Sequence, residues 1–185
     1  MNLKMIIMKP QLFVHYNKPS DSHMKPVVNG YTCKPSFGGI WTSTYMNGTS
    51  AWIEFCKKDC SGDRQVLKQK LDGVNHYILY PSVHTKIFRV DSIADCLILF
   101  NVFGISNVDF PKDNSLMTLD FQRIQSVYDG IHLTRRGEFE TRDKFSFPNL
   151  HGWDCESTLW FRWSFVFCES LYECEPPIKK KKRQK

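Results

Sequence analysis

The run that opens at Ser157 and closes at Phe167 is apolar, aromatic or β-branched beyond its first residue, with only Arg162 and Ser164 as exceptions. Such a run predicts a mostly buried strand, so the chain must supply a core around it. Upstream, the segment from Arg135 to Asn149 carries Arg135, Arg136, Glu138, Glu140, Arg142, Asp143 and Lys144 with a Gly and a Pro, the composition of an exposed loop. Glu156 therefore stands where loop gives way to strand, at a rim. A carboxylate in that place, with Trp153 and Trp160 to limit solvent, can be held ionised and aimed at a reacting centre. An ordinary surface Glu at a strand edge would occupy the same place.

A chain of 185 residues suffices for one domain with one real core, expected over 1–175. Hydrophobic content of 42% with scattered Gly and Pro places it among globular chains rather than disordered ones. The formal charge is +6, and Lys179, Lys180, Lys181, Lys182, Arg183 and Lys185 account for all of it. The body is thus near neutral, which disfavours a folded face built for phosphate binding. Residues 176–185 read as a flexible basic tail begun by Pro176 and Pro177. Such a tail suits nuclear import, a nucleic-acid patch or simple solubilisation. The seven cysteines are odd in number and irregularly spaced, so they form no disulfide framework. The apolar run Met5 to Met8 is too short for a signal-peptide core, and no stretch approaches a membrane span. The expectation is an intracellular protein with reduced thiols, cytoplasmic or, through its tail, nuclear, with no membrane partner.

Leu12 to Tyr16 has the composition of a first buried strand, with His15 at its end. Gly38-Gly39 permits a tight turn or close approach of another backbone, and Ile40 to Tyr45 should be a second strand bearing hydroxyls. From Ala51, i, i+4 pairs predict a short helix capped by Ser50. Asp63 to Leu71 is weakly helical, and His76 to Leu79 and Thr85 to Val90 read as strands around the Pro81 turn. Ser92 to Phe103 is a helix closed by Gly104, Leu119 to Val127 another, and Ile131 to Thr134 a strand. Strands interspersed with short helices, without regular βα alternation or internal repeat, define an α+β protein.

Cys56 and Cys60 with His76 and His84 match no common zinc spacing. Gly38-Gly39 lacks the rest of a phosphate-binding loop, and no Gly-x-Ser-x-Gly elbow occurs. Glu138, Glu140, Asp154 and Glu156 offer carboxylates for acid and base roles in hydrolysis, although the first two lie in a polar segment where carboxylates are usually just solvated. On an apolar strand, His15 suits a hydrogen-bonded core residue as well as a catalyst.

Taken in order, a strand ending in His15, the Gly-Gly strand with Trp41-Thr42-Ser43-Thr44-Tyr45 followed by Ser50-Ala51-Trp52, then Tyr128-Asp129-Gly130-Ile131 and a late strand opened by Glu156, resemble the ADP-ribosyltransferase superfamily. The resemblance spans Leu12 to Phe167 and implies a split, mixed or antiparallel sheet with short flanking helices. It implies NAD as substrate, no metal, and Glu156 and His15 as catalytic residues. His15 would hydrogen-bond the nicotinamide-side ribose or amide, Thr42, Ser43 or Tyr45 would position the cofactor, with Tyr45 or Trp41 against it, and Asp154, Arg135 and Arg136 would face the acceptor. His15-Tyr16-Asn17 stands where the superfamily has His-Gly-Thr.

Cleavage of the N-glycosidic bond of NAD passes through an oxocarbenium-like state that a nearby carboxylate stabilises. The expected activity is therefore glycosyl transfer from NAD to a protein or nucleic-acid acceptor, or hydrolysis of NAD without transfer. The alternatives are an interaction module of the same fold without catalysis and a nucleic-acid binder working through the basic tail. At least three of the five tryptophans should be buried on any of these readings.

Overall fold

The structure, a computed structural model, describes residues 7–30, 33–35, 37–59, 74–106, 117–142, 150 and 152–172. In chain order the elements are β1 (Gln11–His15), a 3-10 turn (Asp21–His23), β2 (Ile40–Met46), β3 (Thr49–Ser50), α1 (Ala51–Asp59), β4 (Asn75–Pro81) and β5 (Ile87–Val90). They continue with α2 (Ile93–Phe103), β6 (Gly104–Ser106), β7 (Met117–Leu119), α3 (Phe121–Gln125), β8 (Gly130–Leu133), α4 (Arg135–Arg142), β9 (Ser157–Trp160) and β10 (Phe165–Tyr172). One sheet runs β10-β4-β1-β2-β9-β8-β5, with β3 folded back on β2, and β6 and β7 form a small ribbon. All its pairings are antiparallel except β5 with β8. A parallel pair needs a long crossover, and the stretch from Asp91 to Asp129, carrying α2 and α3, supplies it. The protein is thus a mixed α+β fold.

Period-two alternation divides the core between the two sheet faces. Leu159, Ile131 and Leu133 pack with Leu99 and Phe100 of α2 and Ile124 of α3. Trp160, next to Leu159, packs on the other face with Ile40, Leu79 and Phe165. Local signals set the helix ends. The Ser50 hydroxyl accepts the Ile53 N–H at 3.2 Å, Ser92 accepts that of Asp95, and Gly104 ends α2 with its N–H on the Phe100 carbonyl.

The structure corrects several expectations. The run from Ser157 to Phe167 is two strands, β9 and the start of β10, broken at the two polar exceptions. Arg162 leaves the sheet to pair with Asp129 at 3.1 Å, and the Ser164 carbonyl takes the Ser82 N–H. Beyond the break Val166 and Phe167 lie on an edge strand, 73% and 57% exposed. The polar segment from Arg135 opens as helix α4, held by Arg136–Glu140 and Arg142–Glu138 pairs one turn apart. Gly137 lets α4 approach the sheet, because a Cβ there would stand 2.2 Å from the Val90 carbonyl oxygen. Leu119 ends β7, so the following helix begins only at Phe121, behind an Asp120 cap. Two tryptophans are buried, Trp153 and Trp160, rather than three; Trp41, Trp52 and Trp163 are partly covered. Asp63 to Leu71, residues 143–149 and the basic tail lie outside the described residues.

Candidate active site

The strands β1 and β4 pair along all of Gln11 to His15, but β1 and β2 pair only at Gln11 with Thr44 and Leu12 with Ser43. Beyond Leu12 the two strands part. The chain entering β2 is drawn aside by the segment before it: the Gly39 N–H donates to the Lys25 carbonyl and the Val28 N–H to that of Phe37. Gly38 and Gly39 hold φ of 88° and 67°, and a Cβ on either would collide with backbone, of Pro26 or of Trp160. The paired glycines thus serve a close backbone approach. A cavity of about 590 Å³ occupies the gap, walled by Val14 and His15 of β1, Trp41 and Ser43 of β2, Trp52 of α1 and Trp153. Trp41 meets Trp153 edge-on at 4.6 Å, and Lys34 lies over Trp41 while pairing with Asp154 at 3.3 Å.

Glu156, immediately before β9, is 4% exposed, a buried carboxylate rather than a surface one. The ladder between β2 and β9 extends from Ile40 with Trp160 to Thr42 with Thr158, which leaves the Thr44 N–H without a strand partner there. The Glu156 carboxylate takes that N–H, at 3.2 Å to Oε1 and 3.1 Å to Oε2. The Thr44 hydroxyl donates to Oε1 at 2.6 Å and the Ser43 hydroxyl to Oε2 at 2.9 Å. Ser43 Oγ in turn accepts the Trp52 N–H at 3.3 Å, so the start of α1 orients it. From the other side Glu138 of α4 accepts the backbone N–H of Glu156 at 3.1 Å. Burial holds the Glu156 carboxyl above its ordinary range, opposed by the hydrogen bonds from Thr44 and Ser43 and by the charge of Arg135. All three donors favour the ionised form.

A polar row continues inward. Gln11, fully buried, accepts the hydroxyls of Thr42 at 2.8 Å and Thr158 at 3.1 Å on Oε1. Its Nε2 donates to the Lys9 carbonyl at 3.0 Å and to Thr44 Oγ1 at 3.3 Å. Every hydrogen-bonding position of this amide is thus used. Because Thr158 donates to Gln11, it accepts from His132, whose Nδ1 stands 2.8 Å away, and this assigns the His132 proton to Nδ1. His132 Nδ1 is also 3.6 Å from Glu156 Oε1. Burial, then Arg89, pushes the imidazole down to about 4, so at neutral pH the ring is neutral. Gln11→Leu keeps the volume but strands its polar partners, and is expected to lower stability by about 2–3 kcal/mol, read as a shifted denaturant midpoint.

A pH dependence follows. Between the ordinary value of 6.5 and about 4, His132 takes a proton in the unfolded chain but not in the fold. Its contribution is therefore complete above pH 6.5 and is lost as pH falls towards 4, by at most about 3 kcal/mol. The raised carboxyl of Glu156 acts oppositely, taking its proton earlier in the fold and so adding stability as pH falls. Unfolding free energies at pH 7, 5.5 and 4.5 should decline for the native chain and decline less for His132→Asn, whose amide can keep the bond to Thr158.

Of the residues singled out from the sequence, His15, Trp41, Thr42, Ser43 and Asp154 line this cavity, whereas Glu156 lines a second one and is tied to the first by the bond from Ser43. The Thr42 hydroxyl is committed to Gln11 and receives the Trp160 indole N–H at 2.7 Å, so it offers little to a ligand. His15 stacks on Phe13 and accepts the Asn17 N–H at 3.1 Å, on the β1 side of the gap. Tyr45 pairs with Ser50 in the β2–β3 hairpin and is not among the cavity residues. The three acceptor candidates do not converge. Asp154 is in the cleft wall, Arg135 pairs with Glu54 at 2.9 Å and lines a different cavity, and Arg136 pairs with Glu140 outside both. Gln11, His132 and Arg89 were not anticipated. Gln11 opens an apolar strand and His132 sits between Ile131 and Leu133, and that placement of polar residues within apolar strands is the signal that could have found them.

The fold and site together define a mixed α+β protein with a buried, hydroxyl-held carboxylate at the end of a split between two strands. No protein-family model, curated protein or solved structure matches the chain. Among the described residues no helix is long and apolar enough to cross a membrane.

Proposed function

We propose that the protein is an enzyme of the ADP-ribosyltransferase type, which binds NAD in the cleft between β1 and β2, breaks its nicotinamide–ribose bond and passes ADP-ribose to a protein or nucleic-acid acceptor. The observation that supports this reading is the buried carboxylate of Glu156, which accepts the hydroxyl of Ser43, a residue that lines the cavity of about 590 Å³ between the parted strands. Such a cavity falls in the range that holds a cofactor-sized ligand. Trp41, Trp52 and Trp153 give it flat aromatic walls suited to a cationic pyridinium ring. Strand edges on either side can hold an extended dinucleotide, which supplies orientation. As the glycosidic bond breaks, positive charge grows on the ribose, and a carboxylate already fixed by three donors stabilises it without reorganising. The reaction asks for no further catalytic group on the leaving side, since nicotinamide departs neutral.

A second reading keeps the fold without the chemistry. Glu156 closes the gap in the β2 ladder, and a carboxylate so fully engaged serves structure even in an interaction module without catalysis. Incubation of the protein with labelled NAD, following free nicotinamide and label on macromolecules, separates the two. Nicotinamide release supports the enzyme. In the same samples NAD at a hundred times its dissociation constant should add about 2.7 kcal/mol to stability. No release and no thermal shift would leave the interaction module.

A further inference from the structure

One wall of the cleft already holds a cation. Lys34 Nζ lies over the ring of Trp41, 5.3 Å from its centroid, and pairs with Asp154 at 3.3 Å. Trp153 meets Trp41 at an interplanar angle of 76° with centroids 4.6 Å apart, so the two indoles form a corner, and Lys34, Trp41, Trp153 and Asp154 all line the cleft. Further contacts fix the corner. The Trp153 indole N–H donates to the Cys33 carbonyl at 2.9 Å, and Arg142 donates to the backbone carbonyl of Asp154. The turn at Gly152, with φ of 97°, lies close under Lys34, since a Cβ at Gly152 would stand 3.8 Å from that of Lys34.

We propose that Trp41, Trp153 and Asp154 form a subsite for a planar organic cation of the pyridinium class, that Lys34 fills it in the free protein, and that the ligand's ring takes the place of the Lys34 ammonium. The inference rests on the reading of the cleft as an NAD site for its choice of cation. It adds where the charged ring lies, what balances its charge and what it must displace.

An aromatic face and a carboxylate are the two partners that compensate a ring cation for leaving water, the first through its quadrupole and the second through its charge. Among the described residues lining the cleft, Lys34 is the one lysine or arginine and Asp154 the one carboxylate. Their charges cancel, so a second cation arriving with Lys34 in place meets no net attraction. A cation that displaces Lys34 leaves the wall neutral. The exchange costs little, because the Lys34 and Asp154 side chains are 41% and 43% exposed and an ion pair so exposed adds little to stability. The ammonium is strongly hydrated and rides on a flexible stem, so it regains its water on leaving. A flat pyridinium covers more of an indole face than an ammonium does. Nicotinamide, the neutral product, offers neither attraction, so the subsite holds substrate better than product.

The test uses the full-length protein and two probes of nearly the same shape, 1-methylnicotinamide, which carries the ring charge, and nicotinamide, which does not. Binding is measured by titration calorimetry at fixed ionic strength. The native protein is expected to bind the charged probe at least about threefold more tightly. Lys34→Met keeps a flexible stem and removes the competing charge, and is expected to tighten 1-methylnicotinamide binding about tenfold while changing nicotinamide binding by less than about twofold. Adding Asp154→Asn to Lys34→Met is expected to remove that gain. Tetramethylammonium, a cation without a ring, is expected to bind the native protein more weakly than 1-methylnicotinamide, and tighter binding overturns the pyridinium class. Equal affinity of the native protein for the charged and neutral probes overturns the subsite, whether or not the variants fold. Weaker binding of the charged probe to folded Lys34→Met overturns the role of Lys34 as an occupant to be displaced. Nicotinamide release from NAD, followed in parallel, reports on the enzyme separately. Release without charge selectivity overturns the subsite and leaves the NAD reading standing, whereas selectivity without release supports the subsite and removes the transfer reaction.

Discussion

On the proposed reaction, Glu156→Gln is expected to lower nicotinamide release and ADP-ribose transfer by about 10²–10⁴ while NAD still binds. The substitution keeps size and hydrogen-bonding capacity but removes the charge that, on this proposal, stabilises the developing ribose cation. The surroundings also resist it. The carboxylate receives the Ser43 and Thr44 hydroxyls and the Thr44 N–H, and an amide NH₂ placed among them meets donors with a donor. A loss of stability of about 1–2 kcal/mol is therefore expected alongside the loss of turnover. Turnover and melting must be read on the same sample. Ser43→Ala provides a graded comparison, since it frees one carboxylate oxygen without discharging it and should cost about tenfold in turnover. A folded Glu156→Gln protein that turns over NAD at the native rate would exclude Glu156 from the chemistry.

Among the glycines with described surroundings, Gly38→Ala should be the most damaging, lowering stability by about 3–5 kcal/mol. Two costs coincide there. The backbone holds φ of 88°, a region L side chains rarely enter, and the added Cβ would stand 2.1 Å from the Pro26 carbonyl oxygen and 2.8 Å from the Val27 Cα. Both contacts are backbone, so no side-chain rotation relieves them. Gly48 supplies the control, with a similar φ of 77° but no atom within 4 Å of its Cβ position. Gly48→Ala should cost only the backbone term, about 1–2 kcal/mol. The difference between the two denaturation midpoints then measures the clash alone. Because Gly38 and Gly39 lead into the cleft edge of β2, Gly38→Ala that survives purification should also bind NAD more weakly. Equal costs at the two glycines would mean that the segments around Pro26 and Gly38 do not pack as described.

Features encoded by neighbouring residues were legible in the chain. Ser50 and Ser92 cap the helices they precede, Gly104 ends α2, and the apolar composition from Leu12 and the hydroxyl-bearing run from Ile40 give β1 and β2. The Gly38-Gly39 pair marks a close backbone approach, and Glu156 stands at the opening of a strand. Each of these rests on interactions within a few residues, which composition and spacing report directly. Where local signals conflicted, packing decided. The polar segment from Arg135 becomes α4 because its charges pair at i, i+4 and Gly137 fits against Val90. The apolar run from Ser157 breaks because Arg162 finds Asp129.

What the sequence by itself determined is the α+β class and most element positions; of the residues it singled out, His15, Trp41, Ser43 and Asp154 line one cleft and Glu156 a neighbouring cavity. The tertiary structure alone decided that β1 and β2 part after Leu12, that Glu156 is buried under Ser43 and Thr44, and that Gln11 and His132 complete its polar row. The physical reason is distance along the chain. Ser43 and Glu156 are 113 residues apart and Gln11 and Thr158 147 apart, and hydrogen bonds across such separations leave no periodicity, only a polar side chain in a place where an apolar one would otherwise be expected.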